Sequence, residues 1–425
     1  MKTAAWTMTF ALAAASTALA ACSSVDPPPP VEGACAEIVV DRFKELAVVE
    51  DAIVLDGRAS NATAGPWSFR HAVENMSPEG MSTGAFVTQW LVGWVSASQL
   101  NGFPLNQPNE SRVPDMNARV LCPWLKRTPA NTCNADCSTC TGRELDLASA
   151  PFRLMGIFNR IDLRENDADK PAGEGRLLFA LTDGPGDNAA SKPLPMSVIF
   201  EYLHPESRSP KAWAEAWHAL GSHADFDAAY KADLQKITDG FTKRGVRPSG
   251  PNGGSALAQI RTNESAFNWI WQLREFELGT SGLSLRPLHN TPAAALDNSA
   301  ALTNWVAANA DAIRQQRYEL PVAMRGGSAE LVIQSSGGAT SRRWGVPGVD
   351  TSVRDIFAQN TCNGCHSQEH PTLDTSFHVS PYKTGRAKLS PFLNDPSGKA
   401  DELAARTKTM QRALCGVDPR VNPAP

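Results

Sequence analysis

The sequence predicts an α+β protein: a mixed sheet-and-helix body followed by a small, mainly helical C-terminal segment. Three observations carry this. Three runs rich in β-branched and aromatic residues follow in close order, Phe152 to Ile161, Arg176 to Leu181 and Met196 to Leu203, and read as strands of one sheet. Apolar stripes recurring at three and four residues then take over, which is the spacing of a buried helix face. Last, the stretch from Gly326 to Asp350 is rich in Gly, Ser and Arg. This places a linker over 326–349, between a body at 35–325 and a segment at 350–416.

The first residues are not expected to belong to the fold. Lys2 precedes an almost wholly apolar or small run from Ala4 to Ala21, and Cys22 follows Leu19-Ala20-Ala21. This order resembles the lipobox of bacterial lipoproteins. The resemblance implies a signal peptide over 1–21, a diacylglycerol on the Cys22 thiol and export. Ser23 after the cysteine implies the outer membrane as the destination. Residues 22–34 then form a spacer, in which Pro27 to Pro30 favour a stiff polyproline II stalk. No later run is long and apolar enough to span a bilayer, so the membrane is expected as a partner through the lipid alone.

Within the body, Phe86 to Leu100 reads as a helix, with Trp90, Leu91, Trp94 and Val95 on one face. The polar, cysteine-dense stretch from Cys122 to Cys140 reads as a disulfide-pinned surface loop. After the strands, Ser209 and Pro210 are an N-cap and first helical residue for a helix whose face carries Trp213, Trp217 and Leu220. Phe226, Tyr230, Leu234, Ile237 and Phe241 mark a second helix, ending near Gly245, and Leu302, Trp305, Val306, Ala310 and Ile313 a third. Leu331 to Gln334 is a short strand candidate, and residues 417–425, with three prolines, read as a disordered tail.

The composition limits the functions to consider. Of 425 residues, 40 are basic and 44 acidic, a net charge of −4 without any basic block, so nucleic acid is not expected as a partner. No P-loop, dinucleotide fingerprint, G-x-S-x-G or H-E-x-x-H occurs. His218 and His223 are five apart, on different helix faces, which argues against zinc.

One motif stands out. Cys362-Asn363-Gly364-Cys365-His366 has the C-x-x-C-H spacing of covalent haem attachment. Two intervening residues let both sulfurs reach the two vinyl groups, and the adjacent histidine turns under the ring to the iron. With nine cysteines and eight histidines in the chain, the pattern arises by chance in roughly one such chain in a few hundred. Val353, Ile356 and Phe357 recur at helical spacing just before it, with Asp350, Thr351 and Ser352 as N-cap candidates.

Here the sequence resembles a c-type cytochrome over about 65 residues. The resemblance implies one covalent haem c on Cys362 and Cys365, with His366 as the proximal iron ligand. It also implies a closing helix over Asp401 to Leu414, whose Leu403, Met410 and Leu414 would pack on the haem side. The chain departs from the family in having no methionine in the loop after His366. His378 is the preferred distal ligand; Met410, His370 and an open sixth position are the alternatives. Lys383, Arg386 and Lys388 are candidates to pair with the haem carboxylates or to be exposed charge.

With Cys22 assigned to lipid and Cys362 and Cys365 to haem, six cysteines remain: Cys35, Cys122, Cys133, Cys137, Cys140 and Cys415. Six suffices for three disulfides, and pairing of Cys415 with an N-terminal cysteine would staple the last segment to the body. Cys137-Ser138-Thr139-Cys140 has redox-motif spacing without the βαβ setting, which favours a structural disulfide.

A wider resemblance links several blocks to uncharacterised exported bacterial lipoproteins that end in C-x-G-C-H. The blocks are Trp67-Ser68-Phe69, Phe158 to Leu163, Gly173 to Leu177, Arg261 to Glu264 and Leu273 to Phe276. Arg160, Asp162, Glu174, Arg176, Arg274 and Glu275 among them are candidates for a buried ion network or a cleft beside the haem. The functional expectation is an electron-carrying lipoprotein with a redox partner protein that the sequence does not identify. A haem enzyme acting on peroxide or oxygen, and a disulfide-stapled binding protein without haem, are the alternatives.

Overall fold

The computed structural model describes residues 33–105, 112–163, 172–204, 209–267, 270–315, 318–332, 344–366, 377–381, 387–395 and 401–417. It is an α+β fold built on one eight-stranded antiparallel sheet. The strands are β1 (Ala47–Val48), β2 (Phe152–Arg160), β3 (Glu174–Thr182), β4 (Pro193–Leu203), β5 (Leu257–Glu264), β6 (Ile270–Gly279), β7 (Gly282–Arg286) and β8 (Ala329–Val332). They pair in sequence order from β1 to β6. One edge of β6 is then shared, Ile270 to Leu273 pairing with β8 and Glu275 to Gly279 with β7.

Side chains alternate across this sheet, and its two faces differ in chemistry. On one face Phe152, Phe179, Phe200 and Phe276 meet rings from the helices laid over it. Phe69 stacks on Phe152 at 3.7 Å, and Trp90 stands edge-on to Phe200 and Phe276. Phe69 heads the helix Phe69–Met76, where Ser68 accepts from His71 N–H, and Trp90 lies in Thr83–Ser96, where Ser82 accepts from Ala85 N–H. The opposite face carries Arg160, Arg176, Glu201, Arg261 and Glu275, and it is this face that holds the site.

The three expected strands are present: the first ends one residue early, at Arg160, and the other two are slightly longer than the apolar runs that mark them. Every residue of β2 and β3 is buried, so these strands read as near-continuous apolar runs. β5 and β6 escape sequence reading because their central residues are Arg, Thr, Asn, Gln and Glu. Those charges are neutralised by cross-strand partners, which no linear pattern displays.

The expected helix over 86–100 begins three residues earlier, at its Ser82 cap, and ends at Ser96. Asn101 and Gly102 then take positive φ, 54° and 78°, making a two-residue hairpin between Gln99–Leu100 and Phe103–Pro104. Ser209 caps Pro210–His218 as expected, accepting from Ala212 N–H. Phe226 stands outside its helix because Asp227 is the cap of Ala228–Thr242. The stripe from Leu302 to Ile313 is broken at Asn309 into Ala300–Ala308 and Ala310–Arg314.

The expected division between body and C-terminal segment is crossed by the core. Ala329–Val332, inside the expected linker, is an edge strand of the body sheet. Leu302, Val306 and Ile313, from the body, share one apolar cluster with Trp344, Val346, Val353 and Phe357. The last helix, Glu402–Leu414, is tied back to the start of the chain. Cys415 is bonded to Cys35, Arg42 pairs with Asp401 at 2.5 Å, and Gln411 donates to Ile38 C=O.

The other disulfides are Cys122–Cys137 and Cys133–Cys140, which interleave. Cys137 and Cys140 are thus both structural, each bonded to an earlier cysteine. The stretch is also less irregular than expected, since Cys122–Arg127 is helical. Cys22 and the stalk lie outside the described residues, as do His370, Lys383, Arg386 and the tail from 418.

Candidate cofactor site

The C-x-x-C-H motif is positioned by a helix and its caps. Asp350 accepts from the N–H groups of Ser352 and Val353 and starts Thr351–Gln359, whose Val353, Phe357 and Ala358 are buried. A single turn, Cys362–Cys365, follows. Thr361 caps that turn, accepting from Gly364 N–H at 3.0 Å and donating to Ala358 C=O at 2.7 Å. Trp344 Nε1 donates to Thr361 Oγ1 and Asn363 Oδ1, and Cys362 N–H donates to Thr291 Oγ1. Gly364 has no substitute here, because a Cβ on it would lie 1.6 Å from Ala358 C=O.

Cys362, Cys365 and His366 are buried, at 2%, 0% and 3% exposure. Neither cysteine is in a disulfide, whereas the other six described cysteines all are. His366 stacks on Trp271 at 4.4 Å, and Trp271 Nε1 donates to Asn263 Oδ1. The opposite side of His366 meets His378, ring centres 4.2 Å apart, and His378 in turn stacks on Phe392 at 4.3 Å. His378 Nε2 lies 3.6 Å from Cys365 Sγ, and Nδ1 lies 3.3 Å from Ser390 Oγ. Four rings therefore form a column from the body sheet to the loop beyond the motif.

Beside this column lies a partly enclosed cavity of about 110 Å³, which opens to solvent. Its apolar walls are Phe158, Leu178, Ile199 and Leu273 from the sheet, with Val379, Phe392 and Leu393 opposite. Cys362, His366 and His378 open onto it, as do Arg160, Arg176, Arg261, Arg406 and Glu402.

Strand register explains the charges. Arg160 lies opposite Glu174, Arg176 opposite Glu201 and Arg261 opposite Glu275. Arg160 grips Asp162 with Nε and Nη2, at 2.8–3.0 Å. Arg176 lies 2.6 Å from Glu174 and 3.2 Å from Glu201; Arg261 lies 2.9 Å from Glu275 and 3.4 Å from Glu201. From the last helix, Arg406 reaches Glu402 at 3.2 Å and Asp162 at 3.8 Å. Burial alone would raise the Asp162 pKa, but Arg160 and Arg406 outweigh it and hold it below the ordinary value. Burial prevails at Glu174 and Glu402, which are pushed up despite their arginine partners.

The structure thus brings together Cys362, Cys365, His366 and His378, and places Arg160 and Arg176 on the same cavity. Asp162, Glu174 and Glu275 stand behind these arginines, so the expected ion network and the expected cleft are one feature. Arg274 does not belong to it: it sits on the other sheet face, with Glu264 and Gln272, and the buried Arg112 beside them. Burial, reinforced by Arg112, lowers its pKa to about 9.

The closing helix also faces differently from expectation. Leu403 and Met410 pack into the body core, while Glu402 and Arg406 face the cavity. Met410 Sδ is 4.0 Å from Asn159 Nδ2 and is not part of the cavity wall, so it is not placed to be an iron ligand. Lys388 is exposed. Sequence reading did not assign Trp271, Phe392, Glu402 and Arg406 to the site. The i,i+4 spacing of Glu402 and Arg406 was legible, but it is equally the mark of a solvent-facing helix pair.

The donor set fits a covalently bound haem: two buried cysteines kept out of disulfides, an adjacent buried histidine, and a mainly apolar cavity with a cationic wall. No protein-family model, curated protein or solved structure matches the chain.

Proposed function

We propose that this protein is an exported, lipid-anchored c-type cytochrome carrying one haem and passing single electrons to or from a partner protein. The observation that carries this reading is the state of the cysteines. Every other described cysteine is oxidised in a disulfide, as an exporting compartment would leave it. Cys362 and Cys365 alone are held in the C-x-x-C-H turn instead, with Cys362 and His366 opening onto the cavity. In this reading each thiol adds across a haem vinyl group, forming a carbon–sulfur bond with the thiol hydrogen going to the neighbouring carbon. The bound haem supplies one-electron chemistry at its iron.

The chain's own residues then have definite tasks. Trp271 fixes the ring plane of His366, the proximal ligand. Phe158, Leu178, Ile199 and Leu273 keep water from the haem face, and the disulfide-anchored last helix covers the cavity. His378 is the distal ligand of this reading, and Cys22 carries the lipid that tethers the body to the outer membrane. Among the described residues no helix is long and apolar enough to cross a membrane.

One observation favours a second reading of the iron. The rings of His366 and His378 lie face to face at 4.2 Å, tilted by 33°, so ligation from opposite sides of a macrocycle requires His378 to leave this stack. If it does not, the sixth position is open and suited to peroxide or oxygen.

The deciding experiment is expression in the periplasm with a cytochrome c maturation system, then denaturation, a pyridine haemochrome spectrum and an intact mass. Haem that survives denaturation in the wild type and is lost in Cys362→Ala/Cys365→Ala is the expected result. Its absence, with a control cytochrome fully matured, refutes the reading and leaves a disulfide-stapled lipoprotein without haem. A low-spin ferric spectrum that becomes high-spin in His378→Ala assigns the distal ligand. A high-spin wild type that binds carbon monoxide rapidly assigns the open site.

A further inference from the structure

We propose that the charged face of the body sheet is an anion-binding wall that receives the two carboxylates of the haem. This rests on the haem reading above and adds to it the role of the sheet. Among the described residues that line the cavity, the charged groups are Arg160, Arg176, Arg261, Arg406 and a single carboxylate, Glu402. Each of the four arginines is at most 8% exposed. Their carboxylate partners Asp162, Glu174, Glu201 and Glu275 are not part of the cavity wall, and stand behind the guanidinium groups.

This layering is what a preformed anion site requires. Acids behind the arginines fix the guanidinium planes and offset the cost of burying four cations. A guanidinium has five N–H donors in a rigid fork. Arg160 turns Nε and Nη2 onto Asp162, and Arg176 turns Nε and Nη2 onto Glu174 and Nη1 toward Glu201, which fixes both guanidinium planes. A porphyrin held by thioethers on one edge carries its carboxylates away from that edge. The sheet face runs from Arg261, whose charge is felt at Cys362, through Arg176 to Arg160 and Arg406, so it offers cations along the whole width of the cavity. On the cavity wall itself the four guanidinium groups face a single carboxylate, Glu402, so the surface turned toward a ligand is cationic. Lys388, by contrast, is exposed.

The test uses the mature holoprotein, with covalent haem first quantified by pyridine haemochrome. Carbon-13 is placed biosynthetically in the haem carboxyl groups, and their resonances are followed from pH 8 to pH 4. Pairing with the wall predicts no titration in that range. Midpoints near the ordinary carboxyl value of about 4.3 to 5 overturn the proposal, and so does arginine-dependent binding of added inorganic phosphate with such ordinary midpoints, which would mark a site for a free anion.

The variant arm measures reduction potential. Arg176→Gln and Arg261→Gln should each favour the oxidised haem by about tenfold, a fall of roughly 59 mV for one electron. Arg261→Lys should keep most of the wild-type potential, and Arg314→Gln, on the exposed surface, all of it. Potentials unchanged in both Gln variants overturn the proposal. If these variants do not fold, the carboxyl titration of the wild type still decides. Failure to attach haem refutes the cytochrome reading itself, whereas haem attached with freely titrating carboxyls refutes the anion wall alone.

Discussion

The bond between Cys35 and Cys415 closes a loop with a sequence separation of 380, and breaking it is the perturbation whose size follows most directly from the structure. In the chain-entropy treatment a loop of that length restrains the unfolded chain by about 6 kcal/mol at 25 °C. Measured losses for native disulfides in small secreted domains are about 2–5 kcal/mol, so we expect the double variant Cys35→Ser/Cys415→Ser to lose stability in that range. The last helix would then depend on Leu403, Met410 and Ala413, all buried, with the Arg42–Asp401 pair and the Gln411 hydrogen bond. It should fray from its C-terminal end, loosening Arg406 and Glu402 from the cavity. The assay is urea unfolding of the full protein, oxidised wild type against the variant, with carbon monoxide binding by the ferrous haem of the proposed cytochrome as a second readout. A free-energy difference below about 0.5 kcal/mol with unchanged carbon monoxide kinetics would refute the reasoning, by showing that packing alone holds the helix.

Other outcomes follow from the same structure. Gly364→Ala should lower stability by several kcal/mol, read by urea midpoint, because its Cβ would overlap Ala358 C=O, and in the proposed cytochrome it should abolish haem attachment, read by haem content. Trp271→Ala should cost about 3–5 kcal/mol and, in the proposed cytochrome, broaden the His366 ligand field in electron paramagnetic resonance, since the ring stacked on the imidazole is gone. Stability should fall between pH 7 and pH 5. Burial pushes the pKa of both His204 and His289 down to about 3, helped at His289 by nearby arginines. Below pH 6.5 the unfolded chain therefore binds protons that the folded chain refuses, at roughly 2 kcal/mol per histidine by pH 5. His204→Gln should remove about half of that pH dependence, and an unchanged slope would rule His204 out as its source.

Much of this molecule is written locally in its sequence. The caps at Ser68, Ser82, Ser209, Asp227 and Asp350 each start a helix through one side-chain oxygen, an interaction spanning two or three residues. β2, β3 and β4 are legible because apolar, β-branched and aromatic residues fill most of their central runs. The C-x-x-C-H turn, its leading helix and the need for glycine at 364 are likewise local, as is the Asn101-Gly102 hairpin. Tertiary structure decided the remainder, for reasons of distance and charge. β5 and β6 carry Arg261, Glu264, Arg274 and Glu275 in the interior, and such residues read as exposed until the register sets each beside its counter-charge. The joining of Leu302 and Val306 to Phe357 in one core, and of Cys35 to Cys415, brings together residues far apart in the chain. So does the cavity itself: the motif supplies two sulfurs and an imidazole, but its cationic wall exists only where three strands and the last helix converge.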